Sequence, residues 1–459
     1  MRTHWPKRRR LRDLRRQSNT AHLPMPTTNC TQSDDRVRLY VKVLLWICLF
    51  LSTGVFIWRG PVRNLQPTNW NDLAQNYAAA RLWLRAENFA RPENFEKLWT
   101  DEVGESVGGR RNHLAPPPGT LVLMAPIGAL SWPSARLVWL VVLIAATLAT
   151  IWSLAKVAGF KAGEPRLIGF VAFCLALAPF HTGIAVANQT VLIVGLCALG
   201  ILAASSGQDV VPGVLFGVAC SLKPQLGSFI VLHYLMRKRW CLFGTALLST
   251  GLLASVAILW LNFHNISWAH DYFSNVKVLA TQNKIDDFTS VNPIRFMLIN
   301  LQVLFYSFTR NAVSANILAL CASTLLIIIW MYFMLRTVGH AADRLSVAAI
   351  STIALLPLYH RLYDAAILSI PVCWSISEMS GERRAVARTA LTLTVPFLLP
   401  GAAMLQELTR RGLFPSSWVS SWWWEALVMP HQTWLLLVLA LTLLYGLGQE
   451  PWHARRLPS

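Results

Sequence analysis

The sequence predicts an all-α fold, a polytopic membrane helix bundle of about twelve spans. Three observations predict it. Of 459 residues, 54% are hydrophobic and 14% charged, where a soluble domain carries roughly 25% charged residues. Mean hydropathy is positive, +0.44. The apolar residues fall in long runs, and Arg and Lys collect between them. A net charge of +19 would suit nucleic acid on a soluble surface. Here the basic residues lie at segment ends, which is how a membrane protein fixes its topology, and nucleic acid is excluded as a partner. Eight cysteines show no C-x-x-C pair and no zinc spacing; they read as small apolar packing residues.

Residues 1–40 form a polar tail with Lys7-Arg8-Arg9-Arg10 and Arg15-Arg16. The expected role is a cytoplasmic tail that holds the N-terminus inside and touches anionic lipid. Residues 41–459 read as one membrane domain. The first span is 41–58. A long external loop, 59–114, follows and carries a helical stretch at 72–87. Six spans are expected at 119–130, 135–154, 167–180, 190–204, 210–236 and 242–261, then a second external loop at 262–311. Five more are expected at 312–335, 346–358, 365–376, 390–405 and 433–447. This count puts Arg237-Lys238-Arg239, Arg383-Arg384 and Arg455-Arg456 inside, with both termini cytoplasmic. It puts Lys156, Lys161 and Arg166 outside, against the charge rule. Trp418 and Trp422-Trp423-Trp424 fall outside, where indoles favour the interface.

Ionisable groups in or beside spans are costly and mark function. Asp72 opens the helical run that carries Tyr77 and Arg81. It reads as a helix cap or as a base that takes a proton from a sugar hydroxyl. Asn112-His113 precedes Pro116-Pro117-Pro118, a stiff re-entry whose His113 could face an anion. Asn188-Gln189 stands at a span start, where amides cap helices or satisfy broken backbone near a cavity. Lys223-Pro224-Gln225 lies deep in an apolar run. Pro224 breaks the helix, and Lys223 either snorkels or needs a phosphate or carboxylate partner. Tyr359-His360-Arg361-Leu362-Tyr363-Asp364 packs two aromatics, two bases and a carboxylate into a short junction. It reads as an Arg–Asp pair or as a phosphate site. Asp286-Asp287 reads as a solvated pair or a metal site. No Gly-rich phosphate loop is present, so a nucleotide donor is disfavoured.

In order along the chain, Asp72 with Tyr77-Ala78-Ala79, Ala115-Pro116-Pro117-Pro118 with Ala125-Pro126, Asn188-Gln189, Leu222-Lys223-Pro224-Gln225 and His360…Tyr363-Asp364 resemble glycosyltransferase family 87. These are polyprenyl-phosphate-mannose-dependent α-mannosyltransferases of the GT-C class. The usual Gly-Gln of the family stands here as Asn188-Gln189. The resemblance implies an integral-membrane inverting enzyme whose site is formed by two extracytoplasmic loops. It would move a sugar, mannose or a relative such as arabinose or glucose, to a lipid, glycan or protein acceptor on the outer face of the cytoplasmic membrane. Asp72 would be the base. His360, Arg361 and Lys223 would bind the donor phosphate. Tyr77, Arg81, His113, Asn188, Gln189, Gln225, Tyr363 and Asp364 would bind substrate. No metal ligand is assigned, and no cofactor beyond an optional divalent metal. The rival reading is a membrane transporter or lipid flippase, which would also explain Lys223 and the broken helices.

Overall fold

The computed structural model describes residues 30–66, 72–103, 115–279, 286–337 and 339–449. Two units divide the chain at Leu44. The first is helical over its described residues. The second carries everything that follows. The described residues are helical with no strand beyond one isolated bridge.

Helix α1 (Cys30–Ile57) runs on through a π turn, Trp58–Val62. Helices α2 (Asp72–Leu84) and α3 (Pro92–Val103) carry the polar sequence that follows. The prolines before α4 (Pro118–Gly128) start that helix, because a proline at the first position loses no hydrogen bond. Its 11 residues rise only about 16 Å, short of the roughly 30 Å hydrocarbon core. Arg81 Nη1 donates to Gly128 O at 2.8 Å, so α4 ends beside α2. The expected span at 119–130 is therefore a helix too short to cross by itself.

Helix α5 (Trp132–Ala158) starts where Trp132 meets Tyr77, ring centroids 5.2 Å apart, and is long enough to cross. Its far end carries Lys156, which shares a cavity with Arg237, Arg239 and Arg344. Arg166, just past it, donates to Ser380 Oγ at 3.3 Å. These bases thus sit with the other basic loops. With α4 not counted as a crossing, Lys156 and Arg166 no longer stand against the charge rule. Helices α6 (Pro165–Ala176) and α7 (Ala178–Ala185), bent by 44°, return to Asp72, whose N–H donates to Val186 O at 2.7 Å. Helix α8 (Thr190–Ser205) leads away again.

The expected span at 210–236 is a hairpin. Helix α9 (Val210–Leu222) rises to Lys223, and α10 (Pro224–Met236) returns. Asp209 before it and Arg239 after it form an ion pair at 2.5 Å, so both ends lie together. Proline forces the reversal. A residue before proline is pushed out of the helical region, and Lys223 takes φ −151°, ψ 88°.

Helix α11 (Trp240–Phe263) follows, then α12 (Ala269–Leu279), a 3-10 turn at Arg295–Met297, α13 (Leu301–Thr309) and α14 (Ala312–Arg336). Helix α15 (His340–Ile353) leads back to the junction, where a 3-10 turn (Leu362–Leu368) enters α16 (Ser369–Glu378). Helices α17 (Arg384–Thr394), α18 (Ala402–Arg410), α19 (Ser416–Val419) and α20 (His431–Gly448) complete the chain. Among the described residues, five helices are long and apolar enough to cross a membrane, or seven if two bent pairs count as spans. Several of the twelve expected spans are shorter buried helices. Large apolar side chains stay exposed along α1, α11 and α14, as on Phe50, Leu248 and Leu320. That is the surface lipid would cover.

Gly213 and Gly217 let α9 approach α11. A Cβ at Gly217 would lie 2.6 Å from Ala246 O and 2.7 Å from Ser249 Cβ. Small residues four apart permit such crossings. Gly217→Val should therefore lower the detergent thermal transition by the equivalent of about 1–3 kcal/mol. An unchanged transition would show that α11 shifts freely.

Candidate active site

Asp72 is the first residue of α2. Helix N-termini leave backbone donors unmet, and Val186 O takes that of Asp72. Asn188 Nδ2 donates to Asp72 Oδ2 at 2.7 Å. The orientation of the amide is settled locally: Asn188 Oδ1 accepts from Thr190 N–H at 2.9 Å at the start of α8, so its NH₂ must face the carboxylate. Asp72 Oδ1 receives no hydrogen bond from the described residues. Asn76, one turn on, donates to Gln189 Oε1 at 3.2 Å, and Gln189 Nε2 donates to Leu222 O at 2.9 Å. The hairpin apex is thereby tied to the start of α8.

Behind this lies a buried ionic cluster. Asp364, fully buried, accepts at Oδ1 from Thr190 Oγ1 at 2.6 Å and from Lys223 Nζ. Its Oδ2 accepts from His360 Nδ1 at 3.1 Å and from Arg361 N–H at 3.0 Å. A carboxylate only accepts, so Nδ1 of His360 carries the proton. Lys223 also lies 5.4 Å from the Tyr363 ring centre. Lys223 and His360 thus already have a negative partner. Gln225 sits half-buried in the first turn of α10.

The junction itself is clamped from outside. Leu298 bridges to Arg361, Ile299 N–H donates to His360 O, and Leu301 N–H donates to Leu356 O, both at 3.0 Å. The Arg361 guanidinium is left with no hydrogen bond from the described residues, its Nε buried. Asp72, Asp286, Tyr359 and Tyr363 all act on it electrostatically. Arg361 lines a cavity of about 340 Å³ with Arg59, Arg63, His181, Met297 and Gln432. His181 is buried with Nε2 unpartnered.

Asp72, Asn188, Gln189, Lys223, His360, Arg361, Tyr363 and Asp364 are thus gathered together. Tyr77 and Arg81 are not. Their side chains meet a different carboxylate: Tyr77 OH donates to Glu102 Oε2 at 3.0 Å, and Arg81 Nε donates to Glu102 Oε1 at 2.5 Å. Burial and the Glu102 bond push the Tyr77 phenol up to about 12. Burial opposes ionisation of Glu102, but Arg81 and Tyr77 outweigh it and hold its carboxyl below the ordinary value. His113 lies outside the described residues. Among those described, no group of three or more His, Cys, Asp or Glu could hold a metal.

Residues the sequence did not single out are Arg59, Arg63 and His181; Asp286, read there as half of a carboxylate pair, also belongs near the site. Arg59 and Arg63 stand four apart at the end of the first span, a signal of one helical face. The Asp286-Asp287 pair is half-buried at Asp286 and buried at Asp287. Asp287 is buried and accepts Thr289 N–H at 2.8 Å. Burial pushes the Asp286 carboxyl up to about 6, against the pull of Arg361 and Lys223. A carboxyl with its folded value raised above about 4 loses folding stability as pH rises from about 4 to 6, by roughly 3 kcal/mol in all. Asp286→Asn should therefore raise the thermal transition above about pH 6 and leave it unchanged near pH 4. Equal effects at both values would mean that Asp286 is not held protonated.

No curated protein matches the chain. A family model does match, over residues 116–359, from the prolines before α4 to the junction beside Arg361. The match covers over half of the chain, including the hairpin apex and the start of α8, and on it the chain belongs to glycosyltransferase family 87, as a membrane enzyme that moves a sugar from a donor to an acceptor.

Proposed function

We propose that the protein transfers a sugar, mannose on the family resemblance, from a polyprenyl-phosphate donor to an acceptor hydroxyl on a lipid, glycan or protein. The observation that carries this reading is a fixed carboxylate, Asp72, with one oxygen that receives no hydrogen bond from the described residues, in electrostatic reach of Arg361, whose guanidinium makes no hydrogen bond among the described residues and lines a basic cavity. The reaction is a single displacement with inversion. Asp72 Oδ1 takes the acceptor proton while the acceptor oxygen bonds to the anomeric carbon. The bond from that carbon to the phosphate oxygen breaks, and the electron pair leaves with the lipid phosphate. Arg361, with Arg59 and Arg63 nearby, stabilises the charge that develops. Lys223 and His360 act through Asp364, which holds the Arg361 backbone in place.

The basic loops favour an orientation with both termini cytoplasmic and the site outside. Arg237, Arg344 and Lys156 share the end of the bundle opposite Asp72. A transporter or flippase is disfavoured by the family match.

The test is a donor panel with purified protein. Polyprenyl-phosphate mannose is expected to support transfer where nucleotide sugars do not. Arg361→Ala should raise donor KM roughly 10- to 100-fold, the worth of a hydrogen bond to a charged group. Transfer from a nucleotide sugar alone would overturn the donor assignment.

A further inference from the structure

A cavity of about 790 Å³ lies at the other end of the bundle from Asp72. Helix α8 joins the two ends. Thr190 at its start bonds Asp364, and Ser205 at its finish lines the cavity. Its 16 residues span about 24 Å, too far for this cavity to serve the reacting atoms.

Four cations line it, Lys156, Arg237, Arg239 and Arg344, against one lining carboxylate, Asp343. Two of the four have structural work. Arg237 donates to Met334 O at 3.0 Å and Thr337 O at 2.8 Å, and pairs with Asp343 at 2.5 Å. Arg239 caps the end of α8 through Ala204 O at 2.8 Å and pairs with Asp209. These bonds satisfy helix C-termini, where cations belong. Lys156 and Arg344 are not accounted for in this way. Lys156 is exposed and makes no ion pair with the described residues. Arg344 reaches Glu378 only at 3.8 Å, and its Nε is buried without a partner. Trp374, 3% exposed, lines the same cavity with its indole N–H unpartnered. Unmet buried donors call for an acceptor. Leu154, Val157, Ile201 and Ile370 give the lining an apolar stretch beside its polar side chains.

We propose that this cavity is a second lipid site, holding the phosphate headgroup of an anionic phospholipid. Lys156, Arg344 and the Trp374 N–H meet the phosphate oxygens, and the first acyl carbons lie on the leucine and isoleucine wall. A soluble anion would use the cations but leave that wall wet. Basic pockets between helices are a recurrent way to hold acidic headgroups.

The test uses the full-length protein, delipidated in a non-ionic detergent and examined by native mass spectrometry. Phosphatidylglycerol should remain bound under conditions that strip phosphatidylcholine. Lys156→Glu, at an exposed position that leaves the core intact, should lower phosphatidylglycerol occupancy roughly tenfold, and Arg344→Gln should act in the same direction. Equal retention of the two lipids by the unaltered protein would overturn the proposal, whatever the variants do. So would unchanged phosphatidylglycerol occupancy in folded Lys156→Glu. Binding of inorganic phosphate with no lipid retained would overturn the lipid occupant. No readout depends on sugar transfer, so failure here leaves the proposed reaction standing.

Discussion

Asp72→Asn protein is expected to insert, fold and bind donor like the unaltered protein, yet to lose about 10²- to 10⁴-fold in kcat, the usual worth of general-base assistance. The substitution is nearly isosteric. The replacement amide keeps an oxygen that can accept the Asn188 side-chain N–H, and the backbone N–H at this position still reaches Val186 O, so the local hydrogen bonds survive. What is lost is the ability to take a proton. Donor KM should stay within about twofold if, as proposed, the phosphate contacts belong to Arg361 and the basic cavity it lines. The measurement is steady-state transfer with a polyprenyl-phosphate sugar, paired with a thermal transition that shows the variant is folded. A folded variant with kcat within about threefold of normal would remove Asp72 from the base role. A large rise in donor KM at normal kcat would make it a donor ligand instead. Asn188→Ala supplies a graded companion. It frees the carboxylate without removing it, so kcat should fall by less than in Asp72→Asn.

The sequence carries the parts of this site unequally. The start of α2 at Asp72 is legible, because a short polar residue before an apolar-periodic run is how helices begin. The break at Lys223-Pro224 is legible as well, since proline removes a backbone donor and excludes its predecessor from the helix. The direction of the chain after the break is not legible. Hydropathy reports that residues 210–236 are buried, and burial is the same for a helix that crosses and a hairpin that turns back. The Asp209–Arg239 pair reveals the reversal, and it joins residues 30 apart in sequence. The same blindness made α4 look like a span. The two misreadings compensate: each adds or removes one crossing, so the loop after Met236 still falls on the basic side while the loops near Lys156 and Gln208 change sides. Asp286 was unreadable for a related reason. A carboxylate pair in a polar loop reads as solvated or metal-holding, and the groups that act on Asp286, Arg361 and Tyr359, lie far along the chain.

Lys223→Met is expected to be among the most destabilising single changes in the chain, at roughly 3–5 kcal/mol, because it leaves the Asp364 carboxylate buried without its cation. Asp364 has zero exposure and ties together three segments: the hairpin apex through Lys223, the start of α8 through Thr190, and the junction through His360 and the Arg361 N–H. Removing the charge as well as the cation should undo most of the loss. In Lys223→Met/Asp364→Asn no uncompensated ion remains, and the amide oxygen can still accept from Arg361 N–H. A recovery of about half or more of the lost stability in the double variant is the expected result, read from thermal or denaturant unfolding in detergent. The repaired double variant then separates positioning from fold. With two of the four donors to Asp364 weakened or absent, the junction is held less firmly, and donor KM should rise because Arg361 no longer meets the phosphate in a fixed place. The contrary outcome is informative in its own right. If Lys223→Met is as stable as the unaltered protein and only donor KM rises, the lysine is a direct phosphate ligand, and Asp364 is satisfied by His360, Thr190 and the backbone alone.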